Sequence, residues 1–291
     1  GDFTYSAKFG TRNWGGGGRS SARETVNWVA AGAIAGKVLE RHGVRAKAHV
    51  DQIGDVEAPD VSWEEMLEHT EENDVRCADP ETAAEMQELV EDYQERGDSI
   101  GGSIYFEIRG LPRGLGAPRF DSFEARLGRA MMSVPATTAF EFGLGTEARE
   151  YAGTERNEDW EFDEDGDPVP VGNDHGGLQG GITTGQPVYG EVTLHAPTSI
   201  PSKQTTVDWE TGERKEVQVI GRHDPVLPPR GVPVVEAMCN LVAVDFMLLG
   251  GRINPDRLDD RPGEYDTDYH PSSPRNDPDD AATSATPTDE E

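Results

Sequence analysis

The chain has 291 residues, with 56 acidic against 26 basic side chains and a net charge of -30. That length can bury a large core, as one big domain or two ordinary ones, and the charge makes nucleic acid and anionic membranes poor partners. Acidic residues run through the whole sequence and only five lysines appear, the pattern of a surface adapted to a high-salt cytoplasm.

The sequence opens on Gly1-Asp2-Phe3 rather than Met, which suggests an internal fragment. After a mixed aromatic stretch come Gly15-Gly16-Gly17-Gly18-Arg19-Ser20-Ser21-Ala22-Arg23-Glu24-Thr25. Glycines let backbone amides approach a ligand closely. Ser21 and Glu24 have capping-box spacing, which predicts a helix start at Ser21 or Ala22. Free amides, the helix dipole, Arg19 and Arg23 would then face an anion, with phosphate the natural guest. The same composition also fits a flexible surface loop. The run lacks the lysine and spacing of a P-loop, which disfavours a nucleoside triphosphate. In the helix behind it, Val26, Val29, Ala30, Ala33, Ile34 and Val38 have the three-four spacing of a buried face, with Gly43 as the cap. Ala31, Gly32, Ala35 and Gly36 keep the other side thin enough for close packing.

Val44 to Ile53 reads as a strand. Ser62 with Glu65 starts a short acidic helix, and Asp79-Pro80 starts a longer one ending at Gly97. Ile100 to Ile108 is a predicted strand, Leu111 to Gly116 a turn-rich loop, and Phe120 opens a helix that stops at Pro135. Phe140 to Leu144 reads as a strand, and Glu155 to Asp167 as an acidic, mobile flap. A second glycine-rich segment, from Gly176 to Pro187, again favours a close backbone approach to a ligand. Val188 to Leu194 and Glu216 to Ile220 follow as strands, and Pro233 to Leu249 as an apolar helix. No apolar run is read as a membrane span and no signal peptide is seen. Two cysteines, Cys77 and Cys239, point to neither a disulfide framework nor a metal cluster, and fit a reducing cytoplasm. Residues 1–254 form one domain on this reading, and 255–291, almost devoid of apolar residues, form an acidic disordered tail.

The two glycine-rich segments and the Gly221-Arg222-His223-Asp224-Pro225 cluster suit one composite anion site. Arg222 and Asp224 read equally well as an internal ion pair beside a turn and as binding and proton-relay groups. His223, between them, is given no role.

Five motifs, in order, resemble chorismate synthase. They are Gly-Gly-Gly-Arg-Ser-Ser-Ala-Arg-Glu-Thr with Val29 to Ala35, Asp98 to Gly102, Leu111 to Gly116, Gly177 to Ile182 and Gly221 to Pro225. The resemblance implies an α+β fold, a β-α-β sandwich with core helices between antiparallel sheets, in a cytoplasmic homotetramer. It implies a lyase of the shikimate pathway that uses reduced FMN, with NADPH as the candidate reductant. The reaction is the trans-1,4 elimination of phosphate from 5-enolpyruvylshikimate 3-phosphate, giving chorismate. Carried over by motif, Arg19, Ser20, Ser21, Ala136, Gly180, Pro197, Thr198, Ser199 and Arg222 would hold the flavin. Ala22 and Arg23 would face the substrate, and Asp224 would relay the proton. No metal is implied.

The sequence departs from the family at Asn173-Asp174-His175-Gly176-Gly177, and at Ala196, where a Lys is usual. The family's amino-terminal block, with its Phe-Gly-Glu-Ser-His-Gly-like motif and catalytic histidines, is absent from these 291 residues, so this stretch alone is expected to make no chorismate. The alternative is a non-catalytic flavin- or phosphate-binding remnant of the fold.

Overall fold

The computed structural model describes residues 2–163, 166 and 168–254. The predicted tail and three flap residues, Glu164, Asp165 and Asp167, lie outside them. Five strands form one antiparallel sheet in the order Val56–Glu57, Arg45–Ile53, Gly102–Arg109, Val188–Leu194, Thr137–Phe142. Period-two alternation sends Ile104, Phe106 and Ile108, and across from them Val188 and Val192, onto one fully buried face. The long helix Pro228–Leu249 crosses that face, with Gly231 against Ile104 and Leu194. Tyr105, on the opposite face, packs with Trp63 and Met66 of the helix Trp63–His69.

Local signals placed several elements as predicted. Ser62 and Glu65 form a reciprocal capping box. The Asp79 carboxylate accepts from the Thr82 amide at 2.7 Å, and Gly97, at φ 65°, caps the far end of Pro80–Arg96. The strand Val188–Leu194 has its predicted bounds.

The helix behind the glycine run differs from expectation at both its start and its face. Ser21 accepts from the Arg23 amide at 3.4 Å, but Glu24 pairs with Arg19 at 3.0 Å instead of reaching back to Ser21, so the box does not close. Two 3-10 turns, Gly18–Ser20 and Ala22–Glu24, precede the α-helix Thr25–Glu40. Its buried residues are Gly32, Ala35 and Leu39, whereas Val26 and Ile34 stand 66% and 69% exposed. The thin side won because it lets two backbones touch. A Cβ on Gly32 would lie 2.4 Å from the Ala237 methyl, and one on Gly36 would meet Asn240. The helix layer is therefore covered by a sheet on one side, while Val26, Ala30, Ala33 and Ile34 form a bare apolar stripe on the other.

Other elements were extended or relocated. Asp2–Phe9 is a helix the sequence did not announce. The predicted flap begins inside a short helix, Gly153–Arg156, and holds a strand, Trp160–Phe162, paired with Pro168–Pro170 just beyond it. The strand expected at Glu216 to Ile220 is Arg214–Val217, and it pairs with Gln204–Val207 in a hairpin apart from the main sheet. The apolar helix starts at Pro228, five residues before the predicted Pro233, and its 22 residues are long and apolar enough to cross a membrane, contrary to the expectation. Burial against the sheet and the helix Thr25–Glu40 accounts for its composition. Pro233 has no N–H for the Pro229 carbonyl four residues back, and Arg76 Nη1 donates to that carbonyl at 2.7 Å.

Two titratable groups on the strand Arg45–Ile53 oppose each other. Burial pushes Asp51 up to about 6, helped by Glu191 and Glu57, whereas burial lowers His49 to about 4. Asp51's contribution to stability is present below its unfolded value near 3.8 and is lost as pH rises through 6. That of His49 is present above 6.5 and lost as pH falls through 4. Each amounts to about 3 kcal/mol, so between these pH values the two slopes largely cancel. Asp51→Asn leaves the His49 slope exposed, and urea midpoints of that variant, relative to the parent, should rise from pH 4 to 6.5. A constant difference between the two would refute the assignment.

Candidate active site

A cleft of about 620 Å³ opens where the glycine run meets the start of the long helix. Ser21, Ala22 and Arg23 enter it from the 3-10 turns, and Ala136 from the loop before Thr137–Phe142. Asp224 and Arg230 enter from the segment leading into Pro228–Leu249, and Arg76 from across it. Val29, Val134, Leu194 and Leu227 supply an apolar wall. The volume lies within the usual range for small-molecule sites.

Backbone strain is concentrated here. Among the described residues, the non-glycine residues with positive φ are Arg76, at 56°, and Ala136, at 71°, and both line this cleft. Such conformations cost about 1–3 kcal/mol each and persist where the surroundings over-determine them. The Arg76 carbonyl accepts from Val50 N at 2.8 Å and the Ala136 carbonyl from His195 N at 3.0 Å, so each is pinned to a neighbouring segment.

Asp224 is the charged centre of the arrangement. Its Oδ1 lies 2.9 Å from Arg230 Nη2, with side chains 46% and 74% exposed. An ion pair so open to water contributes at most about 1 kcal/mol to stability. Asp224 also faces a second hollow, of about 320 Å³, with Arg222, His223, Gly97, Asp98, Ile200 and Pro201. Arg222 therefore sits beside the cleft rather than in it, and Asp224 is paired with Arg230 instead of Arg222. His223 Nε2 lies 3.3 Å from the Val219 carbonyl, turned back on its own loop.

The sequence-predicted residues divide accordingly. Ser21, Ala22, Arg23, Ala136 and Asp224 meet in the cleft. Pro197, Thr198 and Ser199 line neither space, though they lead into Ile200 and Pro201 of the second hollow; Ser99 Oγ donates to the Pro197 carbonyl at 2.6 Å, and Gln204 Nε2 to the Thr198 carbonyl at 3.4 Å. Arg19 is turned outward to Glu24, and Ser20 Oγ bonds the Gly17 carbonyl at 2.6 Å. Gly180 lies in a third cavity, of about 730 Å³, with Arg119, Arg156, Glu158 and His175. A single composite site from both glycine-rich segments is thus not what one chain builds. The second segment precedes Val188 and the Pro197 segment follows Leu194, and seven extended residues separate their ends by about 20 Å.

The cleft thus brings three arginines and the Asp224 carboxylate together beside an apolar wall. The family model described as chorismate synthase matches residues 1–248. The chain belongs to the chorismate synthase family. It is 76% identical over 275 residues to the chorismate synthase of Haloquadratum walsbyi, covering 94% of this chain and 72% of that one. With the chorismate synthase of Methanosarcina mazei the identity is 46% over 257 residues, covering 88% and 70%. A solved structure titled as chorismate synthase superposes with a TM-score of 0.66 at 28% identity, covering 79% of this chain and 65% of that chain. The chain thus spans about 70% of its curated relatives and slightly under two thirds of the solved chorismate synthase.

Two cationic residues of the cleft in this family member escaped the sequence reading, Arg76 and Arg230. Arg230 had a signal, a charge in the first turn of an apolar helix directly after Pro228-Pro229. Arg76 had a weaker one, as the lone arginine or lysine between Lys47 and Arg96 in a strongly acidic stretch.

Proposed function

We propose that this chain builds the site at which a chorismate synthase eliminates phosphate from 5-enolpyruvylshikimate 3-phosphate, with FMN as the flavin. The observation that carries the reading is the convergence of both strained non-glycine residues, Arg76 and Ala136, with Arg23, Arg230 and Asp224 on one cleft. The fit to a flavin and a phosphorylated substrate rests on two features: the positive charge that Arg23, Arg76 and Arg230 bring to one cleft, and the apolar wall from Val29 to Leu227.

Reduced FMN, when bound, supplies electron density that helps phosphate leave. Arg23 holds anionic oxygens of the substrate and favours the charge that develops on the departing phosphate. Asp224 has Oδ1 committed to Arg230, which leaves Oδ2 to take the proton released from carbon. The balance is one proton and one phosphate lost for one new double bond. Arg222, in the hollow beyond Asp224, and Pro197 to Ser199, which lead into that hollow's Ile200 and Pro201, are the residues proposed for the flavin's own phosphate.

The bare stripe of Val26, Ala30, Ala33 and Ile34 supports further covering of the helix layer, and we assign it to a homotetramer. The net charge of -30 supports work in a cytoplasm of high salt. NADPH is the proposed source of reducing equivalents.

The test is an anaerobic assay of the protein as expressed from its gene, with chemically reduced FMN and the phosphorylated substrate, chorismate being followed by chromatography. Chorismate is expected, with Arg23→Ala raising KM about tenfold through loss of a charged hydrogen bond. Flavin uptake without any chorismate would sink the reading, and a monomer's mass by light scattering would sink the tetramer.

A further inference from the structure

The first turn of the long helix carries a chain of contacts that runs from a strained loop to the reactive carboxylate. Pro233 leaves the Pro229 carbonyl without a helical partner, and Arg76 Nη1 takes it at 2.7 Å. Arg76 is held at φ 56°, where glycine would rest without strain, and its backbone is fixed to Val50 at 2.8 Å. Glu71 pairs with its Nε at 3.2 Å. The next residue along the helix from Pro229 is Arg230, whose guanidinium lies 2.9 Å from Asp224 Oδ1.

We infer that Arg230 is a positioning residue for Asp224, and that Arg76 sets the helix turn from which Arg230 reaches it. Asp224 stands in a loop segment, half exposed, between two cavities, and a carboxylate so placed samples several rotamers unless something holds it. Arg230 removes that freedom and fixes which oxygen faces the substrate. The pair is too exposed for its purpose to be stability, and the strain at Arg76 marks a position kept for geometry. The inference rests on the elimination proposed above, and it adds two residues that act through Asp224 and not on the substrate.

Kinetics of the expressed protein separate this from direct substrate binding. Arg230→Ala should lower kcat about 10- to 100-fold, the range for a misplaced group, with KM changed less than about threefold. Arg230→Lys should recover part of the loss. The double variant Arg230→Ala/Asp224→Ala should be no slower than Asp224→Ala alone, since a residue acting through another has nothing left to position. Additive losses, or a loss carried by KM, would overturn the inference. The melting temperature of Arg230→Ala should stay within about 2 °C of the parent, as for other exposed substitutions.

A second readout needs no turnover. Carbodiimide labelling of Asp224, mapped by mass spectrometry, should become about threefold faster once its guanidinium partner is removed in Arg230→Ala, and should rise in Arg76→Ala as well. Unchanged labelling in both variants overturns the pairing. If the parent protein makes no chorismate, the proposed reaction falls, and the labelling still decides whether Arg230 holds Asp224.

Discussion

Asp224→Ala is expected to reduce chorismate formation by about 10² to 10⁴, the usual worth of a general acid–base group, while reduced FMN binds almost as before. The reason is positional. Asp224 forms the wall between the cleft of Ser21, Arg23 and Ala136 and the hollow of Arg222, and one of its oxygens is already engaged by Arg230. Its removal deprives the reaction of the group proposed to take the proton, yet leaves the arginines and the apolar wall of the cleft in place. Arg222→Ala should behave differently, weakening flavin binding about tenfold, because Arg222 lines the hollow beyond Asp224 with Ile200 and Pro201 and not the cleft itself. Rapid-mixing turnover and flavin titration on the same samples make the comparison. Equal and small effects from the two substitutions would return Asp224 to a merely structural role.

Gly32→Val should be the most damaging substitution to the fold itself. At that position a Cβ would lie 2.4 Å from the Ala237 Cβ and 2.5 Å from its Cα, so the obstacle is backbone that cannot rotate aside. The helices Thr25–Glu40 and Pro228–Leu249 would have to separate, opening the contact that buries Ala35, Leu39 and Val235. Forcing side-chain volume into a closed contact typically costs about 1–3 kcal/mol, and a helix–helix backbone clash lies at or above the upper end of that range. For a chain of this size 3 kcal/mol corresponds to a fall of about 10 °C in melting temperature. Gly32→Ala should show the same effect in smaller measure. Midpoints unchanged in both variants would mean that the two helices do not meet at Gly32 and Ala237.

The contrast between these residues shows where the sequence speaks for itself. Asp79-Pro80 with Gly97, and Ser62 with Glu65, fixed helix ends because capping is a contact among residues three or four apart. Val188 to Leu194 declared itself by alternation, each residue carrying its own face. Five ordered motifs gave the family that the comparisons show.

The sequence by itself thus determined the elements whose causes are local, and the family to which the chain belongs. The tertiary structure decided the rest. Val26 and Ile34 outweigh Gly32 and Ala35 in apolar area, yet the small side is buried, because Ala237, two hundred residues later, supplies a backbone that only a glycine admits. Gly180 and Ser21 looked alike as close-approach sites, yet the full length of the strand Val188–Leu194 stands between the second glycine segment and the cleft. Arg76 could not be read as part of the site at all. Its partner is a carbonyl set free by Pro233, and a hydrogen bond between residues 153 apart exists only once the chain has folded.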